Sequence, residues 1–360
     1  MYGPLMTQTD ARPDQLPYSV DELTPEWFSA VLTTTDEEVR VTKVDVSRII
    51  WGSATKVFAS LEFAANKRDI PAQVCVKGGF DERSRAYGLG PAYELEGHFY
   101  RDLAPGFAAE VPASFYSATE HDQGVIIMED LTAHGAEFGQ ATDLWPVDDI
   151  ATTLEVQARW HAALWGSSKG ERAWLPVGAK AARDAFTVML SPEVFHPLIE
   201  RPEVPDLSAG LRDDARVREG FARLWEHDDA AVHTINHGDA HFAQLYRVPG
   251  SAPAFLDWQT ACLAPWAHDV SYFLGSALSI EDRRNRERDL LRHYLDAVAG
   301  HGGPRLDDEN AWYEYRLHTL HGFAWMCVPT VMQPSEVVEA MAHRYGAALE
   351  DHDPIGMLLA

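Results

Sequence analysis

The sequence predicts an α+β chain of two lobes, an N-terminal antiparallel-sheet lobe followed by a mainly helical C-terminal lobe. Three observations predict it. Between Val41 and Lys77 the chain runs in short β-branched, alternating stretches (VTKVDVSRII, KVFASLEFA, AQVCVKGGF), the pattern of antiparallel strands with tight connections. One helical segment, PAYELEGHFYRDLA, then precedes two further apolar runs near VPASFYSA and GVIIMED. Beyond Leu131 the apolar spacing becomes three and four, as in amphipathic helices, at residues 148–165, 281–299 and 308–349.

In chain order, residues 1–22 are polar and proline-spotted and read as a loosely ordered arm. Thr24-Pro25-Glu26 reads as a helix start, with an N-cap threonine, proline at the first helical position and an acid in the first turn. Leu23, Trp27, Phe28 and Val31 form its apolar stripe. Three strands, a helix and two strands make a small α+β lobe, assigned to residues 23–130, with a hinge near Glu129–Leu131. Residues 131–360 are assigned to the second lobe. There Gly166 can end the helix at 148–165, and AQLYRV and PAFLDWQ interrupt the helices as short β pieces.

Composition narrows the function. A chain of 360 residues, 46% hydrophobic and 11% aromatic, has the content of an ordinary globular protein. The 55 acidic against 30 basic residues give a net charge of −25, which lacks the basic footprint that nucleic-acid binding needs. No run approaches 18 apolar residues and no basic segment precedes an apolar one at the N-terminus, so neither a membrane span nor a signal peptide is expected. Cys75, Cys262 and Cys327 sit far apart within apolar runs and read as buried thiols of a reducing compartment, so a cytoplasmic location is expected.

The chemistry concentrates in His237-Gly238-Asp239-Ala240-His241-Phe242-Ala243-Gln244 and Leu256-Asp257-Trp258-Gln259. Phosphoryl transfer to a hydroxyl needs one carboxylate to orient the acceptor proton and further oxygen ligands to hold Mg²⁺. Asp239, the side-chain carbonyl of Gln244 and Asp257 at a strand end supply such a set, and a hairpin through AQLYRVPGSAPAFLDW folds Gln244 and Asp257 back toward one another. As pattern alone, two acids and an amide also fit a surface loop. Phe255, Leu256 and Trp258 around Asp257 argue for a carboxylate kept beside the core for a purpose. Upstream, Gly52, Ser53, Ala54 and Thr55 lie in a turn between two strands, where backbone N–H groups and small hydroxyls can reach phosphate oxygens. With one glycine, that turn read alone is a plain hairpin turn. Lys77 ends an apolar strand and places an ammonium at the inner edge of the lobe, suited to phosphates.

These segments resemble the aminoglycoside phosphotransferase / choline kinase superfamily, and more narrowly its ecdysteroid-kinase-like branch, whose catalytic loop reads H-G-D-x-x-x-x-N and whose metal motif reads D-[FW]-[QE]. The resemblance spans about residues 45 to 275 and implies a bilobal protein-kinase-like fold. It implies Asp239 as catalytic base, Gln244 in the place of a metal-binding asparagine and Asp257 as principal Mg²⁺ ligand. Asp269, in AHDVSYFL, is expected to brace the catalytic loop, and His237 and His241 to shape it. Glu96-Gly97-His98-Phe99-Tyr100 matches an E-x-x-F-Y signature, which implies that Glu96 pairs with Lys77; Glu94, within one turn, competes for that place. Gly124 to Leu131 resembles the hinge strand, with Met128 as gatekeeper and backbone groups of Glu129 and Leu131 at the adenine edge. Ala158 to Trp165 matches an L-H-A-x-x-W helix, read as scaffolding with His161 satisfied internally.

The reading is a kinase that uses ATP (or GTP) and Mg²⁺ to phosphorylate a hydroxyl of a small acceptor. Trp312, Tyr313, Tyr315, Trp266 and Trp325 offer aromatic surface in the C-terminal lobe, although such residues are more often core. If some line the pocket, the acceptor is a bulky or aromatic alcohol or phenol. The rivals are a nucleotide-binding pseudokinase with a regulatory role and an aminoglycoside-type antibiotic phosphotransferase. Gln244 departs from the family asparagine and sets its carbonyl on a longer arm.

Overall fold

The computed structural model describes residues 15–107, 110–168, 170, 172–178 and 180–360. The chain divides between Ala136 and Glu137 into two compact units. The bilobal protein-kinase-like α+β class holds, with the sheet in the first unit and most helices in the second. Most of the arm expected over residues 1–22 lies outside the described residues.

The first unit is a five-stranded antiparallel sheet of β1 (Val39–Ile50), β2 (Thr55–Asn66), β3 (Gln73–Gly78), β4 (Ser114–Glu120) and β5 (Gln123–Glu129), in spatial order β1-β2-β3-β5-β4. The helix Pro25–Leu32 starts as its residues dictate, with Thr24 accepting a hydrogen bond from the Trp27 N–H at 3.2 Å. Its Trp27 and Phe28 are buried against Val57, Val76 and Ile127 on one face of the sheet. Register fixes what the other face carries. Lys77 pairs with Lys56 and Ile126, and Cys75 with Phe58 and Met128, so these side chains share the face opposite that core.

The helix Gly90–Asp102 lies close to β5 because two glycines allow it. A Cβ on Gly124 would come 1.9 Å from the Tyr93 carbonyl oxygen, and one on Gly97 would come 2.5 Å from Thr119 Cγ2.

In the second unit the helix Trp266–Ala277 is buried along its whole length. The helices Val147–Ala163 and Ile280–Gly300 pack together, joined by a 2.8 Å contact of His161 Nδ1 with the Tyr294 hydroxyl. The helical period read over 308–349 is not one helix. It splits into Asp308–His318, a 3₁₀ turn Thr319–Phe323, a short helix Ala324–Cys327 and Ser335–His352, with Pro329 and Pro334 in the gap. Short strands β6 (Glu137–Phe138), β7 (Thr234–Asn236), β8 (Leu245–Arg247), β9 (Ala254–Phe255) and β10 (Cys262–Ala264) form two small sheets, β6-β8-β9 and β10-β7. The hairpin β8–β9 is the one read from the sequence.

All three cysteines are buried and form no disulfide. Burial pushes the thiols of Cys75 and Cys327 up to about 12, which keeps them protonated. Among the described residues no helix is long and apolar enough to cross a membrane.

Because the Gly124 contact is with backbone, Gly124→Ala is expected to cost about 1–3 kcal/mol or more. Gly106→Ala, where an added Cβ meets nothing within 4 Å, is expected to stay within about 0.5 kcal/mol. Denaturant unfolding of the two variants checks the contrast; equal midpoints would contradict the close packing.

Candidate functional site

In the first unit Lys77 Nζ lies 2.7 Å from carboxylate oxygens of Glu96, and both residues are almost fully buried. Glu94 points elsewhere, its Oε1 accepting the Asp122 N–H at 2.7 Å. A buried ammonium is costly without a partner, so the glycine-permitted approach of the helix is what lets Lys77 be carried charged inside the lobe.

The turn between β1 and β2 is tied down through its carbonyls. Gly52 O accepts from Ser84 Oγ at 2.9 Å, and Ser53 O accepts from Tyr93 O–H at 2.6 Å. Ala54 and Thr55 are already buried. The expectation that the Thr55 hydroxyl reaches toward phosphate is corrected by register. Thr55 pairs with Gly78 and shares the face of Val57 and Val76, opposite Lys77, so a phosphate on the Lys77 side could meet only its backbone. At the end of β5, Met128 is buried on the Lys77 face. The Glu129 N–H donates to Ala113 O at 2.9 Å and its Oε1 accepts the Ala113 N–H at 2.8 Å, so only its carbonyl could serve an adenine edge. Leu131 is buried in the following turn, which Asp130 caps by accepting the Thr132 N–H at 2.9 Å.

In the second unit the segment after β7 turns sharply at Gly238. Its φ is +81°, and a Cβ there would meet Thr260 O at 2.3 Å, so both conformation and space require glycine. The loop is held from below by one face of the helix Trp266–Ala277. Asp269 accepts the His237 N–H at 2.6 Å and the Gly238 N–H at 3.0 Å, and two turns further Ser276 Oγ accepts the Phe242 N–H at 2.8 Å. Burial alone would push the Asp269 carboxyl up. A contact from His161 and the neighbouring histidines hold it below the usual range, so it stays an anion. His161 is itself fully buried, and burial lowers its own proton affinity.

The imidazole of His237 joins the two motifs. Its Nε2 lies 2.6 Å from Leu256 O, next to Asp257, while its Nδ1 accepts the Asp239 N–H at 3.3 Å. Its ring lies 4.7 Å from that of the buried Trp258. His241 accepts the Ala243 N–H at Nδ1, and its Nε2 stands 3.6 Å from Asp239 Oδ2. Burial lowers the proton affinity of His241 although the charge of Asp239 opposes this.

Gln244 Nε2 donates to Asp239 Oδ2 at 3.2 Å. Its amide nitrogen is thereby committed, and Oε1 is the atom left to act as a metal ligand. The Leu256 N–H donates to Gln244 O at 2.8 Å, which ties the segment leading into Asp257 to the loop that carries Asp239. Asp257 has φ +65°, a left-handed conformation uncommon outside glycine and most tolerated by Asn and Asp. A carboxylate, an amide oxygen and a residue held in an uncommon conformation fit a hard divalent cation.

Asp239 opens on a cavity of about 180 Å³ within the second unit. Phe186, Phe221, Trp225 and Tyr272 give it an apolar wall, and Asp228, Arg183, His268 and His321 a polar one. Sequence reasoning missed these residues. The aromatic residues it named are elsewhere: Trp266, Tyr315 and Trp325 are core, Trp312 stacks on Tyr315, Tyr313 is exposed, and none lines the cavity. The signal that could have found Tyr272 is its place three residues after Asp269. It accepts a hydrogen bond from Trp325 Nε1 at 2.9 Å, and burial together with the Asp239 charge pushes its phenol well above the usual range.

A sheet unit with a buried lysine–glutamate pair and a helical unit with a braced His-Gly-Asp loop define a kinase-like protein. Residues 211–301 match the ecdysteroid kinase-like family. LicA in complex with AMP is similar in fold, with TM-score 0.50 and 13% identity over 93% of this chain and 97% of that one. A choline/ethanolamine kinase family protein from Mesorhizobium loti has TM-score 0.49 and 14% identity over 88% and 91%. Macrolide 2′-phosphotransferase MphH from Brachybacterium faecium has TM-score 0.47 and 19% identity over 85% and 93%. No curated protein matches the chain. The resemblance to the ecdysteroid-kinase-like branch is matched over those 91 residues, and LicA shares the fold that the resemblance implies.

Asparagine at 269 would offer one carbonyl oxygen where two N–H groups now find acceptors. Asp269→Asn is expected to lower stability by about 1–3 kcal/mol, the usual cost of a buried unpaired donor. It should also speed amide exchange at Gly238. Unchanged stability and exchange in the variant would remove Asp269 as the brace.

Proposed function

We propose that this protein is a small-molecule O-phosphotransferase that uses ATP or GTP with Mg²⁺, and that the cavity beside Asp239 receives the acceptor. The observation that carries this reading is the loop itself. Asp239 is held by its backbone and by Gln244, partly exposed, on the rim of a cavity. The match to the ecdysteroid kinase-like family and the fold shared with LicA, which was solved with AMP, support a nucleotide as phosphate donor.

In the proposed reaction the acceptor oxygen bonds to the γ-phosphorus as the bond to the β,γ-bridging oxygen breaks. The nucleoside diphosphate leaves, and the hydroxyl proton passes to the Asp239 carboxylate. Lys77, fixed by Glu96, would hold phosphate oxygens. Asp257 and Gln244 Oε1 would hold the Mg²⁺, which supplies charge neutralisation on the phosphates when bound. His237 and Asp269 act on geometry, keeping Asp239 in register with the segment that carries Asp257.

A cavity of about 150 Å³ accommodates benzene, so one of about 180 Å³ suits an acceptor of a single substituted ring. A single-ring alcohol or phenol fits better than a multi-ring aminoglycoside. The polar wall also asks for a second polar group on that acceptor, which the aromatic residues named from sequence did not suggest.

Incubation with Mg-ATP and a panel of single-ring alcohols and phenols, followed by ³¹P NMR, tests the reading; no phosphorylated product from any of them would count against it. With an accepted substrate, Asp239→Asn is expected to keep nucleotide affinity while losing at least about 10²-fold in turnover. Lys77→Ala should instead weaken nucleotide binding in calorimetry. For the metal, Gln244→Ala should raise the Mg²⁺ requirement while Gln244→Asn is tolerated; an alanine variant with the wild-type Mg²⁺ titration would show that the side chain is not a ligand.

A further inference from the structure

The polar wall of the cavity contains an arrangement that phosphoryl transfer does not use. Asp228 lies in the last turn of the helix Asp214–Ala230 and is buried. Its Oδ1 lies 3.0 Å from His318 Nε2 and its Oδ2 lies 4.0 Å from His321 Nε2. Ligand atoms of the three residues all fall within 4.8 Å of one another. His318 closes the helix Asp308–His318 and His321 lies in the 3₁₀ turn that follows, so two imidazoles three residues apart converge on one carboxylate.

An ion pair accounts for part of this. A proton on His318 satisfies the 3.0 Å contact with Asp228. It leaves His321 unexplained, because His321 Nε2 is buried without a hydrogen-bond partner among the described residues, and 4.0 Å to Asp228 is too long for a hydrogen bond. The rings are also oriented from behind. His318 Nδ1 contacts the Glu314 carbonyl at 2.7 Å, the outer contact that fixes a ligating tautomer and leaves Nε2 facing the cluster. His268 stacks on His321 at 3.8 Å between centroids and 13° between planes, which sets the plane of that ring. Arg183, 3.8 Å from Asp228, has a closer partner in Asp229 at 2.8 Å.

We propose that Asp228, His318 and His321 form a binding site for a divalent transition cation of the zinc class, separate from the Mg²⁺ position assigned to Asp257 and Gln244. Two imidazoles and one carboxylate are a borderline donor set that suits zinc, whereas Mg²⁺ takes oxygen ligands. Three protein ligands leave a fourth position open. Asp228 and His321 line the cavity that also holds Asp239, so the open position faces a bound acceptor and takes an oxygen from it. Zinc bonds of about 2.1 Å set tetrahedral ligand atoms about 3.4 Å apart, so His321 closes on Asp228 by roughly 0.6 Å when the ion binds.

Calorimetric titration of chelator-treated protein with Zn²⁺, in excess Mg²⁺, is expected to show one site of micromolar or tighter affinity. Co²⁺ in place of Zn²⁺ should give the visible absorption of a four-coordinate ion. His321→Phe keeps the ring volume without a donor atom and should weaken Zn²⁺ by at least about 10²-fold, the upper range for losing even an outer contact. The exposed His121→Ala should leave binding unchanged. Circular dichroism melting establishes that each variant is folded. Absence of the single site, or Zn²⁺ affinity retained in folded His321→Phe, would overturn the proposal. The readout is metal binding, so it stands or falls separately from phosphoryl transfer.

Discussion

Two backbone N–H groups converging on one carboxylate are the constraint from which the His-Gly-Asp loop takes its shape. His237 and Gly238 donate to Asp269, and a chain that turns there must place Gly238 at positive φ against Thr260. The turn throws Asp239 outward to the cavity rim while His237 folds back to Leu256. Ionised Asp269 is required for this, since a protonated carboxyl spends one oxygen as a donor. The buried surroundings supply what keeps it charged.

One helix face does much of the organising. Asp269, Tyr272 and Ser276 recur at intervals of three and four on the helix Trp266–Ala277 and meet, in turn, the loop backbone, the vicinity of Asp239 and the Phe242 N–H. Because that helix is buried throughout, it cannot shift without disturbing the core around it. The rigidity of the loop is therefore inherited from hydrophobic packing, not from the loop's own sequence.

Much of this was legible from residues alone. Three alternating runs and two apolar runs marked the five strands of the first unit, the AQLYRV and PAFLDWQ pieces marked the β8–β9 hairpin, and the aspartate of AHDVSYFL was expected to brace the loop where the structure places it. What stayed hidden depended on geometry between distant segments. Thr55 reads as a loop hydroxyl until strand register assigns it to the core face. The cavity draws on Arg183, Trp225, His268 and His321, which lie in four separate elements, and no local period in the sequence links them. Aromatic density near residues 312–315 was a poor guide for the same reason. An aromatic side chain in an amphipathic helix packs on its neighbours first, and Tyr315 does so with no surface left over.

The Lys77–Glu96 pair has a further meaning when seen as a matter of disorder. A free lysine side chain carries about 2 kcal/mol of rotamer entropy, and a lysine waving in solvent surrenders it each time an anion is captured. Here that freedom is gone once the first unit has folded, because Nζ is already gripped inside the lobe at 2.7 Å from Glu96. An anion that reached Nζ would meet a charge with nothing left to arrange. The cost of ordering has been moved from each encounter to a single event in the life of the chain, and the glycines at 97 and 124 are what made that transfer possible.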